Sequence, residues 1–196
     1  AWQEPLLQAL PYAQRLELER REPEARRASL AGLGLVLVGA ARMSQREFPP
    51  QAFTFPPAGK PRLAGGPYFS ISHSNSAVSC IVCADTDCGI DIEDRPDPAE
   101  SATVAKLQRW TATEAALNAA GLGLRAPGEV ALADLLGHAI VRSQCYELQS
   151  LDDMPGVIGH IAARKKLTPT IAFLELDDAR TSALLERSLG LAAQFE

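Results

Sequence analysis

The sequence has no excess of basic residues and no long apolar run. Its 196 residues include 19 Lys and Arg against 24 Asp and Glu, a net charge of −5. That balance argues against broad electrostatic binding to nucleic acid or to an anionic membrane. The longest apolar run, residues 30–41, is too short to cross a bilayer and is typical of a buried helix. We therefore expect no nucleic-acid partner and no membrane partner.

Cysteine is also scarce, because four cysteines are too few for a disulfide scaffold in a chain of this length. Cys80 and Cys83 lie in residues 77–84, which have a strand-like composition. Residues three apart on a strand face opposite sides, so the two thiols should diverge and behave as small core residues rather than metal ligands. We expect a reduced, cytoplasmic protein.

The patterns that are present alternate between helical and extended segments. Helices are predicted at residues 11–21 and 24–42, and an irregular connection at 49–67. Strands are predicted at 68–74, 77–84 and 89–93, the first two joined as a hairpin through Asn75 and Ser76.

In the second half, the two prolines in residues 94–100 mark the middle of the chain. A helix is predicted to start at Trp110 and to stop at Gly121. Residues 130–136 could be helix or strand, while 157–164 and 168–176 resemble a hairpin. The order of elements predicts an α+β or mixed α/β fold with two halves around one cleft.

Residues 89–93 alternate apolar and acidic side chains. On a strand, Ile90 and Ile92 would face the core, and Asp91 and Glu93 would project together from the other side, about 7 Å apart. The pair could be an ordinary solvated strand face. It could also hold a hard cation such as Mg²⁺, which prefers oxygen ligands and often takes one or two carboxylates plus substrate phosphates.

Three further positions each have an ordinary and a functional interpretation. Ser72 and His73, at the end of the strand 68–74, could donate hydrogen bonds to a phosphate or could be satisfied by backbone groups. Lys60, between Gly59 and Pro61, could be simply solvated. Glu114 fits a capping box with Thr111 as N-cap, and a carboxylate at a helix start could also face a cation.

Taken together and in order, these motifs closely resemble the 4′-phosphopantetheinyl transferases of the Sfp type. The matching blocks are residues 59–61, 69–74, 89–93, Trp110 with Glu114, and 121–124. Each block is weak by itself, but their order and spacing are jointly specific. Weaker similarity extends to residues 26–37 and 156–176.

The resemblance implies a monomer of two similar α/β halves with pseudo-twofold symmetry, residues 1–94 and 95–196, forming one globular unit. Coenzyme A would bind in the cleft between the halves. The family transfers the 4′-phosphopantetheine group from coenzyme A to a serine of an acyl or peptidyl carrier protein, with Mg²⁺ as cofactor, and releases 3′,5′-ADP.

The resemblance also implies roles for individual residues. Asp91, Glu93 and Glu114 match the Mg²⁺-binding carboxylates, and Glu114 also matches the proposed general base. Ser72 and His73 match residues that hold the 3′-phosphate of coenzyme A, and Lys60 matches a coenzyme A-binding lysine.

The chain departs from the family pattern in two places. Thr113 and Asn118 occupy positions where the family usually has lysines, and the segment between Glu93 and Trp110 is shorter than in typical relatives. A catalytically weak or inactive module that binds coenzyme A or a carrier protein is therefore the alternative to an active transferase.

Overall fold

The N-terminal part of the chain folds as three α-helices. The computed structural model describes residues 2–57, 59–97, 99–123, 127–133, 136–151, 154–172, 182–183 and 185–186. Helices α1, α2 and α3 span Gln3–Ala9, Tyr12–Glu19 and Pro23–Ser44. The helices predicted at 11–21 and 24–42 are confirmed as α2 and α3, whereas α1 is an additional helix.

Helix α3 packs on a two-stranded hairpin. Strands β3 (Tyr68–His73) and β4 (Val78–Cys83) pair antiparallel, which confirms the predicted hairpin. Cys80 packs against the cluster that contains the buried face of α3, and Cys83 lies on the opposite face beside Cys88. The two thiols therefore diverge, as predicted.

The predicted irregular connection at 49–67 contains little regular structure. It has a 3-10 turn at Pro50–Ala52 and a short antiparallel pair, β1 (Phe53–Thr54) with β2 (Arg62–Leu63). The Gly59–Lys60–Pro61 sequence therefore lies in the loop between two paired strands.

A five-stranded antiparallel sheet forms the second part of the fold. Its strands are β5 (Cys88–Asp94), β6 (Val130–Leu132), β7 (His138–Val141), β8 (Gln144–Ser150) and β9 (Val157–Ala163). They lie in the order β5-β9-β8-β7-β6, so β9 is bonded on both sides. The strands predicted at 89–93 and 157–164 are confirmed as β5 and β9, and the ambiguous segment 130–136 begins as strand β6.

The predicted hairpin between residues 157–164 and 168–176 is wrong. Strand β9 pairs with β5 and β8, and all seven of its residues are buried. Because both hydrogen-bonding edges of β9 are already occupied, no edge remains for a following strand. Residues 168–172 form no strand, and residues 173–176 lie outside the described part of the chain.

Helix α4 (Ser101–Ala120) crosses one face of this sheet. Its buried side is lined mainly by small residues, Ala112, Ala115, Ala116 and Ala119, together with Leu117. The closest approach is at Gly89 of β5, where a Cβ atom would lie 2.0 Å from the carbonyl oxygen of Ala115. Only a glycine can occupy this position while the helix lies so near the strand.

The prediction that α4 starts at Trp110, with Thr111 as the N-cap of a capping box, is wrong. The helix begins at Ser101, and Thr111 lies in its middle, where Oγ1 donates a hydrogen bond to the carbonyl oxygen of Leu107 at 2.9 Å. No Pro or Gly separates Ser101 from Thr111, so nothing in this stretch prevents an earlier helix start. Glu114 is therefore not a capping residue.

The hairpin and the five-stranded sheet meet along β5. Ser72 of β3 bonds to Asp91 and Ile92, and the backbone N–H groups of Asn75 and Ser76 donate to the Asp94 carboxylate. Since higher numbers on β3 and its turn face higher numbers on β5, these two strands run in the same direction.

The described chain is an α+β protein, because its strand pairs are antiparallel and its two long helices, α3 and α4, pack on the faces of the sheets. Strand β5 precedes the predicted boundary at residue 94 yet pairs with β9, so residues on both sides of that boundary share one sheet. The boundary between two similar halves stays a prediction. Among the described residues, no helix has the length and apolar character needed to cross a membrane.

Candidate functional site

Strand β5 presents its acidic residues to α4. Ile90 and Ile92 pack in a separate cluster on the opposite face of the sheet, which confirms the predicted alternation. Asp91 and Glu93 share the face of Gly89, which touches α4, and both are half-buried. The helix thus covers much of the face that an ordinary solvated strand would leave to water.

Glu114 of α4 completes a group of three carboxylates, which we call the carboxylate site: Asp91, Glu93 and Glu114. Glu114 is only 4% exposed. Among the described residues, Glu114 Oε1 and Asp91 Oδ2 are buried oxygens without a hydrogen-bond partner. A buried acceptor without a partner costs about 1–3 kcal/mol, and more when it is charged. Two such atoms in one place indicate a site built for a ligand with positive charge.

The acidity of the carboxylate site reflects this arrangement. Burial raises the pKa of Asp91 to about 7, helped by the charges of Glu114 and Glu93 and opposed by the hydrogen bond from Ser72. Burial and the charge of Glu93 also raise the pKa of Glu114 above its usual range. The charge of Glu93 acts on both Asp91 and Glu114, and that of Glu114 acts on Asp91, so the three side chains lie near one another.

The donor set suits Mg²⁺ better than a soft metal, because its atoms are carboxylate oxygens. Within the described ranges, no group of three or more His, Cys, Asp or Glu side chains is arranged to hold a metal ion. Mg²⁺ usually takes only one or two carboxylates and completes its shell with water and phosphate oxygens. The two unpartnered oxygens, on Asp91 and Glu114, fit that lower requirement.

Ser72 belongs to the carboxylate site in the structure. Its Oγ donates to Asp91 Oδ1 at 2.8 Å and accepts from the backbone N–H of Ile92 at 3.2 Å. The hydroxyl proton is therefore already committed to a carboxylate, so Ser72 would have to exchange this bond before donating to a phosphate.

His73 is separated from Ser72 by the geometry of β3. Neighbouring residues on a strand face opposite sides, and His73 is exposed at the end of the strand. The structure therefore brings Ser72, Asp91 and Glu114 together and leaves His73 outside that group.

Lys60 lines a concave region of about 180 Å³ near the carboxylate site. From here on, 'the cleft' means this region. The cleft is bordered by residues of the 59–61 loop, of β3 and of the end of α4: Gly59, Lys60, Pro61, Phe69, Ser70, Ile71, Asn118, Gly121 and Gly123. The Lys60 ammonium donates to the carbonyl oxygen of Cys88 and lies 3.7 Å from Asp87 Oδ1. Burial lowers its pKa.

Asn118, which stands where the family usually has a lysine, is a second polar side chain of the cleft. Its Nδ2 donates to the carbonyl oxygen of Ile90 at 3.1 Å, which ties the last turns of α4 to β5. The residue that replaces a family lysine therefore has a structural contact of its own.

His160 is a polar residue near the site that sequence reasoning missed. It lies on β9 directly opposite Asp91, is 2% exposed, and its Nδ1 is 2.8 Å from Thr111 Oγ1. The signal was a lone histidine within the otherwise apolar residues 157–163, but its partner lies 49 positions away and could not be read from the sequence.

Neither the protein-family models nor the curated proteins compared with this chain give a match. The family relationship stays a prediction based on the motifs.

Proposed function

We propose that this chain transfers the 4′-phosphopantetheine group from coenzyme A to a serine of an acyl or peptidyl carrier protein. The observation that carries the proposal is the pair of buried, unpartnered oxygens on Asp91 and Glu114, which form an acidic site near the cleft. On this proposal the chain is a cytoplasmic monomer whose two halves are similar.

The reaction is a phosphoryl-type transfer, in which catalysis consists mainly of positioning and charge neutralisation. The serine oxygen forms a bond to the phosphorus that carries the pantetheine arm, and the bond from that phosphorus to 3′,5′-ADP breaks. When bound, Mg²⁺ would neutralise charge on the diphosphate. Asp91 and Glu114 would hold the ion through their unpartnered oxygens, with Glu93 as the third carboxylate of the site.

Glu114 is also the proposed acceptor of the serine proton. Burial raises its pKa, and a base with a pKa nearer to neutral is better matched to proton transfer at physiological pH. The carbonyl-bound ammonium of Lys60, the hydroxyl of Ser72 and the exposed ring of His73 are the proposed coenzyme A contacts.

A second candidate is a transferase-like module that binds coenzyme A or a carrier protein with little or no turnover. The contacts of Lys60 and Ser72 weaken the case for turnover of coenzyme A, because each side chain must give up an internal bond before it can hold a phosphate. Asn118 weakens that case as well, since an amide bonded to Ile90 adds no positive charge to the cleft.

The deciding experiment incubates an apo carrier protein with this protein, coenzyme A and Mg²⁺, followed by mass spectrometry of the carrier. The transferase predicts a gain of the phosphopantetheine mass on a serine. It also predicts that Glu114→Gln abolishes the gain, while the control Asp85→Asn, which alters an exposed ion pair with Lys165, does not.

Binding of coenzyme A without any mass gain would support the module instead. If no mass gain is observed and neither coenzyme A nor the carrier protein binds, both candidate functions are wrong.

A further inference from the structure

Thr111 of α4 and His160 of β9 form a buried polar contact between the helix and the sheet. Thr111 Oγ1 and His160 Nδ1 are 2.8 Å apart, and the two residues are 0% and 2% exposed. Hydrogen bonds in such a dry environment are strong and costly to break, because no water replaces the lost partner.

The contact is not needed to satisfy the threonine. Thr111 Oγ1 already lies 2.9 Å from the carbonyl oxygen of Leu107 and 3.3 Å from that of Gln108, in the same helix. What the bond to His160 adds is a link between two elements that are far apart in the sequence.

The Thr111–His160 link has one residue next to Asp91 on β5 and the other next to Glu114 on α4. His160 is the direct partner of Asp91 in the antiparallel β5–β9 pair, so the two side chains leave the same face of the sheet. Thr111 is three residues before Glu114, which places it on the same side of α4. A second link, from Asn118 to the carbonyl of Ile90, lies one turn after Glu114.

The packing of α4 on the sheet explains what these hydrogen bonds contribute. The helix meets the sheet largely through alanines, which permit a close approach, and Leu117 is the large apolar side chain that α4 adds to this cluster. Alanines define the distance between helix and sheet better than they define the helix's position along its axis, and Leu117 lies on the C-terminal side of Glu114 only. Directional hydrogen bonds on both sides of Glu114 supply the missing definition.

We propose that His160, through its bond to Thr111, is a positioning residue that holds the Glu114 carboxylate next to Asp91. The inference rests on the proposed function in one respect, namely that the carboxylate site binds a divalent cation. His160 acts through Thr111 and touches neither cation nor substrate.

The test measures Mg²⁺ affinity by isothermal titration calorimetry, together with the thermal unfolding midpoint, on the full chain without other ligands. Thr111→Val keeps the shape of the side chain but removes the hydroxyl, and Thr111→Ser restores the hydroxyl. Thr113→Val is the matched control, because Thr113 makes the same bond to a carbonyl four residues earlier, that of Arg109, and is only half-buried. The ring ¹⁵N signals of the three histidines report whether the His160 contact is lost.

Thr111→Val should weaken Mg²⁺ binding about tenfold, the lower end of the loss that follows when a group that orients metal ligands is removed. Thr111→Ser should bind within about twofold of the natural protein, and so should Thr113→Val. A Thr111→Val protein that is less stable but binds Mg²⁺ normally would overturn the positioning role while leaving the proposed function intact. If the natural protein itself binds no Mg²⁺, the metal site fails and the inference fails with it.

Discussion

The carboxylate site and the cleft differ in whether their charged groups have partners within the protein. In the carboxylate site, Asp91 and Glu114 each keep a buried oxygen without a partner, and their pKa values are raised. In the cleft, the Lys60 ammonium is bonded to a backbone carbonyl and lies near Asp87, and Asn118 is bonded to Ile90. Negative charge is left uncompensated in one region, while positive charge is compensated within the protein in the other.

A coenzyme A-dependent transferase needs a site for the cation and a site for the anionic nucleotide, and these two sites need not be equally prepared. A cation site can be prepared in advance, because Mg²⁺ relieves the repulsion between carboxylates when it binds. An anion site made from a satisfied lysine must first give up an internal bond, which lowers its net gain from a phosphate. On the proposed function, the chain is therefore better prepared for the metal than for the nucleotide.

The largest expected effect comes from the packing that creates the carboxylate site. Gly89→Ala would place a Cβ atom 2.0 Å from a backbone oxygen of α4, so the helix must move away from β5. We expect a loss of about 3 kcal/mol or more in the free energy of unfolding, at the upper end for overpacked positions. Urea denaturation measures this change.

Gly128→Ala is the matched control, because a Cβ atom at this exposed glycine would meet no atom within 4 Å. Equal stability of the two variants would mean that α4 does not approach β5 as closely as the structure has it. Mg²⁺ binding should be lost with Gly89→Ala and kept with Gly128→Ala.

A smaller effect is expected from the pH dependence of stability. The pKa of Asp91 is about 7 in the folded protein and about 4 in the unfolded chain, so the folded state holds the proton more tightly. The stabilisation that comes from protonated Asp91 is fully present below about pH 4 and is lost as the pH rises to about 7. Without Mg²⁺, we expect the free energy of unfolding to fall by about 1–3 kcal/mol between pH 5 and pH 8.

Asp91→Asn should flatten this pH profile, because the amide does not ionise and its oxygen can still accept the bond from Ser72. Mg²⁺ should restore stability at pH 8 in the natural protein by binding only the folded state, and should not do so in Asp91→Asn. A natural profile that rises from pH 5 to pH 8 would contradict the raised pKa.

The smallest effect is expected in the cleft. Asp87 accepts two hydrogen bonds from Arg62 and lies near Lys60, so Asp87→Asn would release positive charge beside the cleft. We expect coenzyme A to bind about threefold to tenfold more tightly, as for a charge-assisted contact, with a stability loss below about 1 kcal/mol. Calorimetry with coenzyme A measures the affinity.

Asp85→Asn serves as the control for the cleft, since Asp85 pairs with Lys165 at the surface. Unchanged or weaker binding of coenzyme A in Asp87→Asn would show that the compensated lysine is not what limits the cleft.

The strands that build the site could be predicted because alternation is a local property. Asp91 and Glu93 on one face and Ile90 and Ile92 on the other follow directly from the two-residue period of a strand. The start of α4 could not be predicted, because residues 111–114 match the sequence of a capping box although Thr111 lies in the middle of the helix. The partner of β9 was also missed, because pairing depends on which edges are already occupied.

The sequence by itself determined which residues of β5 share the acidic face, a fold with both helices and strands, and the chemistry of the candidate ligands, because these follow from side-chain type and short-range periodicity. It left α+β and mixed α/β both open. Only the tertiary structure decided that α4 covers the acids, that Lys60 is bonded internally, and that His160 lies opposite Asp91. Contacts between residues remote in the sequence, and the burial that shifts a pKa, depend on how the elements pack.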